Sequence, residues 1–351
     1  MSHGERLTRP IIHRVDSARD RLLGLIGGYR VTQLIRTAAL LKICDQLAHG
    51  PREAADVAVV VHADPILLRR LMRALVGLGV LEEGEDGRFS NTETGEHLRS
   101  DLPGNLAAPA ISLTDDPAWL GWAQLHHGIV DGSVPYVLAN HASPWEVQAS
   151  NPEAAARFNA HMVAQTEAFA PQLVSAFDFS QCRTVVDVGG GKGALMSGIL
   201  SANPGVHGVV FDLEQGLAGA EEYLQRRGVG DRCTTVAGDF FKSVPPGGDC
   251  YLLRLILHDW DDADALRILE RVRHAMAPSS RLLVIDHVLP ARADASPDSR
   301  LALNMDIHMF VLFGGRERTE DEMRQMLEST GFVIERVAMT APARTVVARA
   351  V

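Results

Sequence analysis

The segment VVDVGGGKG, residues 185–193, sets a short β-branched run directly before Gly189, Gly190, Gly191 and Gly193. A buried strand should lead into that turn, and a helix should leave it from about Ala194. Glycine adopts positive φ at no steric cost and lets the backbone approach a ligand closely. Strand, glycine turn and helix form the nucleotide-binding corner of a doubly wound sheet. Here the glycines read G-x-G-x-G, one residue short of the dinucleotide fingerprint G-x-G-x-x-G. Asp187 stands two residues before the first glycine, where a carboxylate would sit poorly beside a pyrophosphate. It suits a cationic ligand such as S-adenosylmethionine, which carries an ammonium and a sulfonium. Gly189 and Gly191 are therefore cofactor-contact candidates together with Asp187.

Downstream, the texture stays that of strands alternating with helices, which indicates a mostly parallel sheet covered on both faces. GVVFDL ends in Asp212, 21 residues after Gly191, where an acid can accept from both ribose hydroxyls. VAGDFF follows, with Asp239 placed to accept from an adenine amino group and Phe240 to lie against the ring or in the core. Arg254 is a cation amid YLLRLIL and needs an anionic partner, either the cofactor carboxylate or a structural ion pair. That strand runs on into ILHDWDD, so His258 is expected at the carboxyl end of a parallel strand, where such sheets bind ligands. A neutral imidazole there could take a phenolic proton; otherwise it caps the following helix. Asp286, in VIDHVLP, and Glu317, in GGRERTEDE, end on the same rim and could hold its tautomer. His287 is a less well placed candidate. GFVIERVAM and RTVVARAV, separated by a short loop with Pro342, suit a hairpin that closes the sheet with an antiparallel edge.

Towards the N-terminus, RVTQLIRTAALLKICDQL repeats apolar residues at helical steps. DPILLRRLMRALVGLGVL opens with Asp64 as N-cap and Pro65 at the first helical position. VLEEGEDGRFSNT then reads as two short strands about a turn, which completes a winged helix. Arg69, Arg70 and Arg73 would suit DNA, but Glu82, Glu83, Glu85 and Asp86 occupy the wing and would repel phosphate. Packing or dimerisation is the expected role. Residues 1–104 are assigned to this helical unit, 105–178 to a helical region carrying Trp119, Trp122, Trp145, Phe158 and Met162, and 179–351 to the sheet domain.

The chain has 351 residues, 46% apolar and 22% charged, with a formal charge of −10. That is a globular composition, and the acidic balance disfavours nucleic acid and anionic membranes. Cys44, Cys182, Cys233 and Cys250 lack the close spacing of zinc or redox pairs, so reduced thiols in a cytoplasmic protein are expected. The opening MSHGERLTRPIIHRVDSARD shows no apolar signal core, and no run reaches membrane-span length.

DVGGGKG, GDFF, LHDWDD, a strand ending in D-x-V-L-P, and GGRERTEDE occur in that order over nearly the whole chain. Together they resemble the plant-type small-molecule O-methyltransferases, as in caffeate methylation, whose bacterial relatives act on aromatic polyketides and other antibiotic precursors. The resemblance implies a Rossmann-like class I methyltransferase domain, with a mostly parallel sheet and an antiparallel last strand. It also implies an N-terminal winged-helix dimerisation domain, a homodimer, S-adenosylmethionine as donor, no metal, and a small aromatic acceptor. It assigns Gly189, Asp212, Asp239, Phe240 and Arg254 to the cofactor, where many plant members carry lysine at the last position. His258 becomes the general base with Asp286 and Glu317 as supports, although plant members usually carry glutamate where Asp286 stands. Phe158, Met162, Asp306, His308 and Met309 would form the acceptor pocket; the MDIHMFVLFGG stretch is one residue shorter than its plant counterpart. Some bacterial relatives keep the cofactor site but hydroxylate or decarboxylate instead. These tend to lack the histidine, so its presence favours methylation.

Overall fold

A computed structural model describes residues 17–102, 104–340 and 343–351, with Met339 described only in its backbone. The N-terminal stretch up to Asp16 and the Pro342 loop lie outside the described residues. The chain divides into two compact units, one ending at Thr114 and the other beginning at Asp115.

In the first unit the Asp64 carboxylate accepts from the backbone N–H groups of Ile66 and Leu67, both at 2.9 Å. It thereby satisfies donors that the helix Pro65–Gly77 leaves open at its start. A hairpin follows, β1 (Leu81–Glu83) against β2 (Phe89–Asn91). Ile43, Val57, Met72, Leu75, Leu81 and Phe89 close the core of this unit. Glu83 on the wing takes both Arg69 (2.9 Å) and Arg73 (3.1 Å), so two cations of the would-be reading helix are already paired.

The second unit is built on a seven-stranded sheet. Its strands are β3 (Thr184–Val188), β4 (His207–Asp212), β5 (Cys233–Ala237), β6 (Cys250–Arg254), β7 (Arg281–Asp286), β10 (Phe332–Thr340) and β11 (Ala343–Ala350). A separate two-residue parallel pair joins β8 (Val288–Leu289) to β9 (Arg318–Thr319). The sheet order is β10-β11-β7-β6-β3-β4-β5. β3 to β7 pair in parallel, and β11 runs antiparallel to both of its neighbours. The antiparallel strand is thus not the edge: β11 is inserted beside β7, and β10 forms the border. A nine-residue strand and an eight-residue strand so close in the chain can place either partner against β7, and only the packing selects β11.

Alternate residues face opposite layers, as the pleat requires. Leu252, Leu283 and Ile285 pack with Leu173, Leu195 and Ile199 on one side. Tyr251, Leu253, Leu282 and Val284 pack with Ile268, Val272 and Leu327 on the other. Full burial of each such aliphatic chain contributes roughly 1.5–3 kcal/mol, so the parallel centre of the sheet is its most secure part. The four cysteines are free thiols. Among the described residues no helix is long and apolar enough to cross a membrane.

Candidate active site

β3 ends at Val188, and the glycine turn follows with φ of +75° at Gly189 and +54° at Gly191. The turn is tied to β4. Gly189 N–H donates to the Phe211 carbonyl at 2.8 Å, and Gly191 N–H donates to Asp212 Oδ2 at 2.8 Å. The other Asp212 oxygen accepts from Leu213 N–H at 2.7 Å, so this acid organises the corner from within. A Cβ at Gly190 would come within 2.8 Å of the Asp187 carboxyl carbon, so a larger residue there would have to displace that side chain.

A cavity of about 380 Å³ opens above this corner. Asp187, Gly189, Gly191, Asp212, Asp239, Phe240 and Arg254 all line it, as do Phe158 and Met162 from the helix Pro152–Ala176. Asp239 Oδ1 accepts from Phe241 N–H at 2.9 Å, which turns the chain so that Phe240 meets the cavity. Trp145 and Trp260 form part of the wall. Their rings stack at 6.4 Å, and Trp145 stacks on Phe313 at 5.0 Å.

Arg254 and Asp187 face the cavity without an ion-pair partner in contact among the described residues. Arg254 donates to Thr166 Oγ1 at 2.9 Å and lies 4.9 Å over the Phe169 ring. Burial holds its pKa down to about 10, against the pull of the more distant Asp187 and Asp286. Asp187 is buried, and that burial pushes its carboxyl up to about 7, moderated by Arg254. A zwitterionic ligand, with an ammonium for Asp187 and a carboxylate for Arg254, would settle both. The glycine cradle and this charge pair therefore fit S-adenosylmethionine.

β6 stops at Arg254 rather than running on to the histidine. Leu255 takes φ +54°, uncommon for a residue with a side chain, and a 3-10 turn covers Leu257–Asp259. His258 therefore lies beyond the strand end, in a buried turn. Asp261, not His258, caps the following helix, accepting from Asp264 N–H at 2.9 Å. His258 Nδ1 meets Glu317 Oε1 at 2.8 Å, and its Nε2 stands 3.5 Å from Asp259 Oδ1. Asp286 is equally buried, but neither of its carboxylate oxygens has a hydrogen-bond partner among the described residues, so its influence on the ring is electrostatic. Burial alone would depress the imidazole, but Asp259, Glu317 and Asp286 overcome it and raise His258 to about 9. The same crowding, led by burial, lifts Asp259 to about 7 and Asp286 to about 6.

His258, Asp286, Glu317, Asp306, His308 and Met309 do not line the cavity; Asp259 does, with its Oδ1 3.5 Å from His258 Nε2. Asp306 accepts from Glu317 N–H at 2.9 Å and so holds the acid that holds the ring. His308 Nδ1 accepts from Trp122 Nε1–H at 3.2 Å, and burial followed by the His258 charge lowers it to about 4. His287 lies with its ring 6.4 Å from that of His258. Met309 is buried on the same helix, Pro297–Phe313. The sequence reading missed Asp259, Trp260 and Trp145 as site residues. The first two were inside the HDWDD motif, whose run of acids reads as a helix start.

Residues 122–333 match the O-methyltransferase domain family, and residues 23–101 match the O-methyltransferase dimerisation domain. The chain belongs to the O-methyltransferase family. Phenazine O-methyltransferase PhzM of Lysobacter antibioticus is 37% identical over 326 residues, 93% of this chain and 94% of that protein. The mitomycin biosynthesis 6-O-methyltransferase of Streptomyces lavendulae is 37% identical over 321 residues, 91% and 90% of the two chains. Among solved structures, the O-methyltransferase NcsB1 from neocarzinostatin biosynthesis, in complex with S-adenosylmethionine and 2-hydroxy-5-methyl naphthoic acid, superposes with a TM-score of 0.80. It is 30% identical, and the match covers 92% of this O-methyltransferase and 96% of NcsB1.

Proposed function

We propose that this O-methyltransferase methylates a hydroxyl of a small aromatic molecule of secondary metabolism, with His258 as general base. The family is dependent on S-adenosylmethionine, and its dimerisation domain makes the chain a homodimer subunit. The observation that carries the base assignment is the buried Glu317–His258–Asp259 row, with Asp259 on the cavity wall.

Bound at the glycine corner, S-adenosylmethionine supplies an electrophilic methyl group on its sulfonium. Asp187 and Arg254 would hold its amino acid end, Asp212 its ribose, and Asp239 and Phe240 its adenine. Glu317 would fix the proton of His258 on Nδ1, which leaves Nε2, 3.5 Å from Asp259 on the cavity wall, as the nitrogen to take the acceptor proton. A base with pKa near 9 takes a proton from a phenol of pKa about 10 with little change in free energy. Phe158 and Met162, with Trp145 and Trp260, would give the acceptor ring its apolar wall, while Asp306 holds Glu317 from outside the cavity. Alignment and deprotonation are then the enzyme's tasks.

Purified protein incubated with labelled S-adenosylmethionine and a panel of phenols is expected to release methylated product. His258→Ala should lower kcat by about 10²- to 10⁴-fold while cofactor affinity persists. Full activity in that variant would refute the base. Tight cofactor binding with no product from any phenol would instead support non-methylating chemistry.

A further inference from the structure

The turn that carries His258 is gripped by a side chain with no role assigned above. Arg318 is a fully buried guanidinium, and at 2% exposure it heads the largest fully buried side chains of the described residues. Its Nη1–H donates to the Leu257 carbonyl at 2.8 Å, and its Nη2–H donates to the Trp260 carbonyl at 3.0 Å. These two carbonyls bracket His258 and Asp259. Nε–H donates to Asp262 Oδ1 at 3.0 Å, and Nη1 also reaches the Arg316 carbonyl at 3.4 Å. Asp262 lies in the first turn of the helix Asp262–Ala275, so the same guanidinium ties the turn to the helix that leaves it.

The neighbouring residues close the grip from other directions. Glu317, one residue earlier, faces the imidazole itself. Gly315 lies so close that a Cβ there would overlap the His258 carbonyl oxygen. β9 anchors the segment by pairing Arg318 with Val288, just past Asp286. Consecutive residues of an extended strand point to opposite sides, so one short segment can hold both the ring and the backbone beneath it.

We propose that Arg318 is the positioning residue of the catalytic turn: by spanning the Leu257 and Trp260 carbonyls it sets where His258 points. This rests on the reading of His258 as the base. A planar fork is required for the task. A lysine ammonium is a point charge and cannot meet both carbonyls and Asp262 in one geometry. Buried carbonyls without donors are disfavoured, so loss of the fork should move the turn rather than leave it in place.

The test compares wild type with Arg318→Lys and Arg318→Met. The readouts are kcat, KM for a phenol found by the panel, the pH profile, and S-adenosylhomocysteine affinity by calorimetry. Both variants are expected to bind S-adenosylhomocysteine within about threefold of wild type. Their kcat should fall about 10²-fold, the loss expected when a reacting group is misplaced by about 1 Å. The acidic limb should also move to lower pH as the Glu317 contact loosens. Unchanged kcat and limb would overturn the proposal. So would a joint fall in kcat, ligand affinity and melting temperature with the limb in place, because that pattern marks general loss of structure. Should both variants fail to fold, Asp262→Asn releases one anchor from a half-exposed side chain. It should lower kcat severalfold and shift the limb in the same direction, and no change in either would overturn the proposal. If the wild type methylates no phenol, the base reading fails separately. The His258 ring is then observed by nitrogen-15 NMR, where an Nδ1–H signal that survives in Arg318→Lys as in wild type would count against the positioning role.

Discussion

At His258 two opposing effects meet: burial favours the neutral ring, and three carboxylates favour the charged one. The acids prevail, so the unliganded enzyme holds a proton there at neutral pH. Deprotonation must precede catalysis, so log(kcat/KM) should rise by about one per pH unit up to about pH 9 and then level off. Removing one acid weakens the support. Glu317→Gln should therefore move this limb to lower pH, and a limb that stays near 9 in that variant would show that Glu317 does not set the charge of the ring. Asp187 offers a second check. Its carboxyl is raised to about 7, and an ammonium ligand prefers it ionised. Affinity for S-adenosylhomocysteine should tighten about fivefold between pH 6 and pH 7, following the ionised fraction. Asp187→Asn should remove that dependence and weaken binding by roughly 10- to 100-fold. Isothermal titration calorimetry at several pH values measures both.

Elements matter here through how close they come. The glycine corner works because β3 delivers it against β4, with Asp212 accepting from Gly191. The base turn works because residues 315–318 lie flat along it. Gly315 is the point of nearest approach, with the backbone of His258 and Asp259 where a side chain would stand. Gly315→Ala should therefore reduce kcat about 10²-fold through displacement of the turn, and leave cofactor binding close to wild type because the glycine corner lies on other strands. Stopped-flow methylation assays with parallel calorimetry would show the split. Equal loss in both would mean that the change spreads through the sheet.

On the scale of the whole molecule, the described residues of the first unit leave an apolar surface exposed. The helix Ala18–Ile26 has no buried residue, and Leu25 and Ile26 are 75% and 62% exposed. Contiguous exposed apolar surface of this kind marks an association face. With a subunit of 38.1 kDa, sedimentation should report about 76 kDa, twice that mass. Charges at Leu25→Asp with Ile26→Asp should shift the species towards 38.1 kDa. A dimer that withstands both charges would place the association face elsewhere. The acidic charge balance and the pairing of Arg69 and Arg73 with Glu83 of the wing agree with a role in packing rather than nucleic-acid contact.

Local sequence determined everything that depends on neighbours along the chain. The β-branched run before the glycines, the Asp64–Pro65 helix start and the wing hairpin could be read because propensity, capping and turn chemistry act within a few residues. The order of motifs also placed the cofactor corner, since each acid follows its own strand. Tertiary structure alone decided what long-range packing controls. It chose β11 over β10 as the partner of β7. It stopped β6 short of His258 and turned the chain through Leu255. It gave the ring to Glu317 while leaving the Asp286 carboxylate without a hydrogen-bond partner among the described residues, and it buried Arg318 under the turn. Those outcomes depend on which backbone groups and charges, far apart along the chain, share one desolvated space, and no local pattern carries that information.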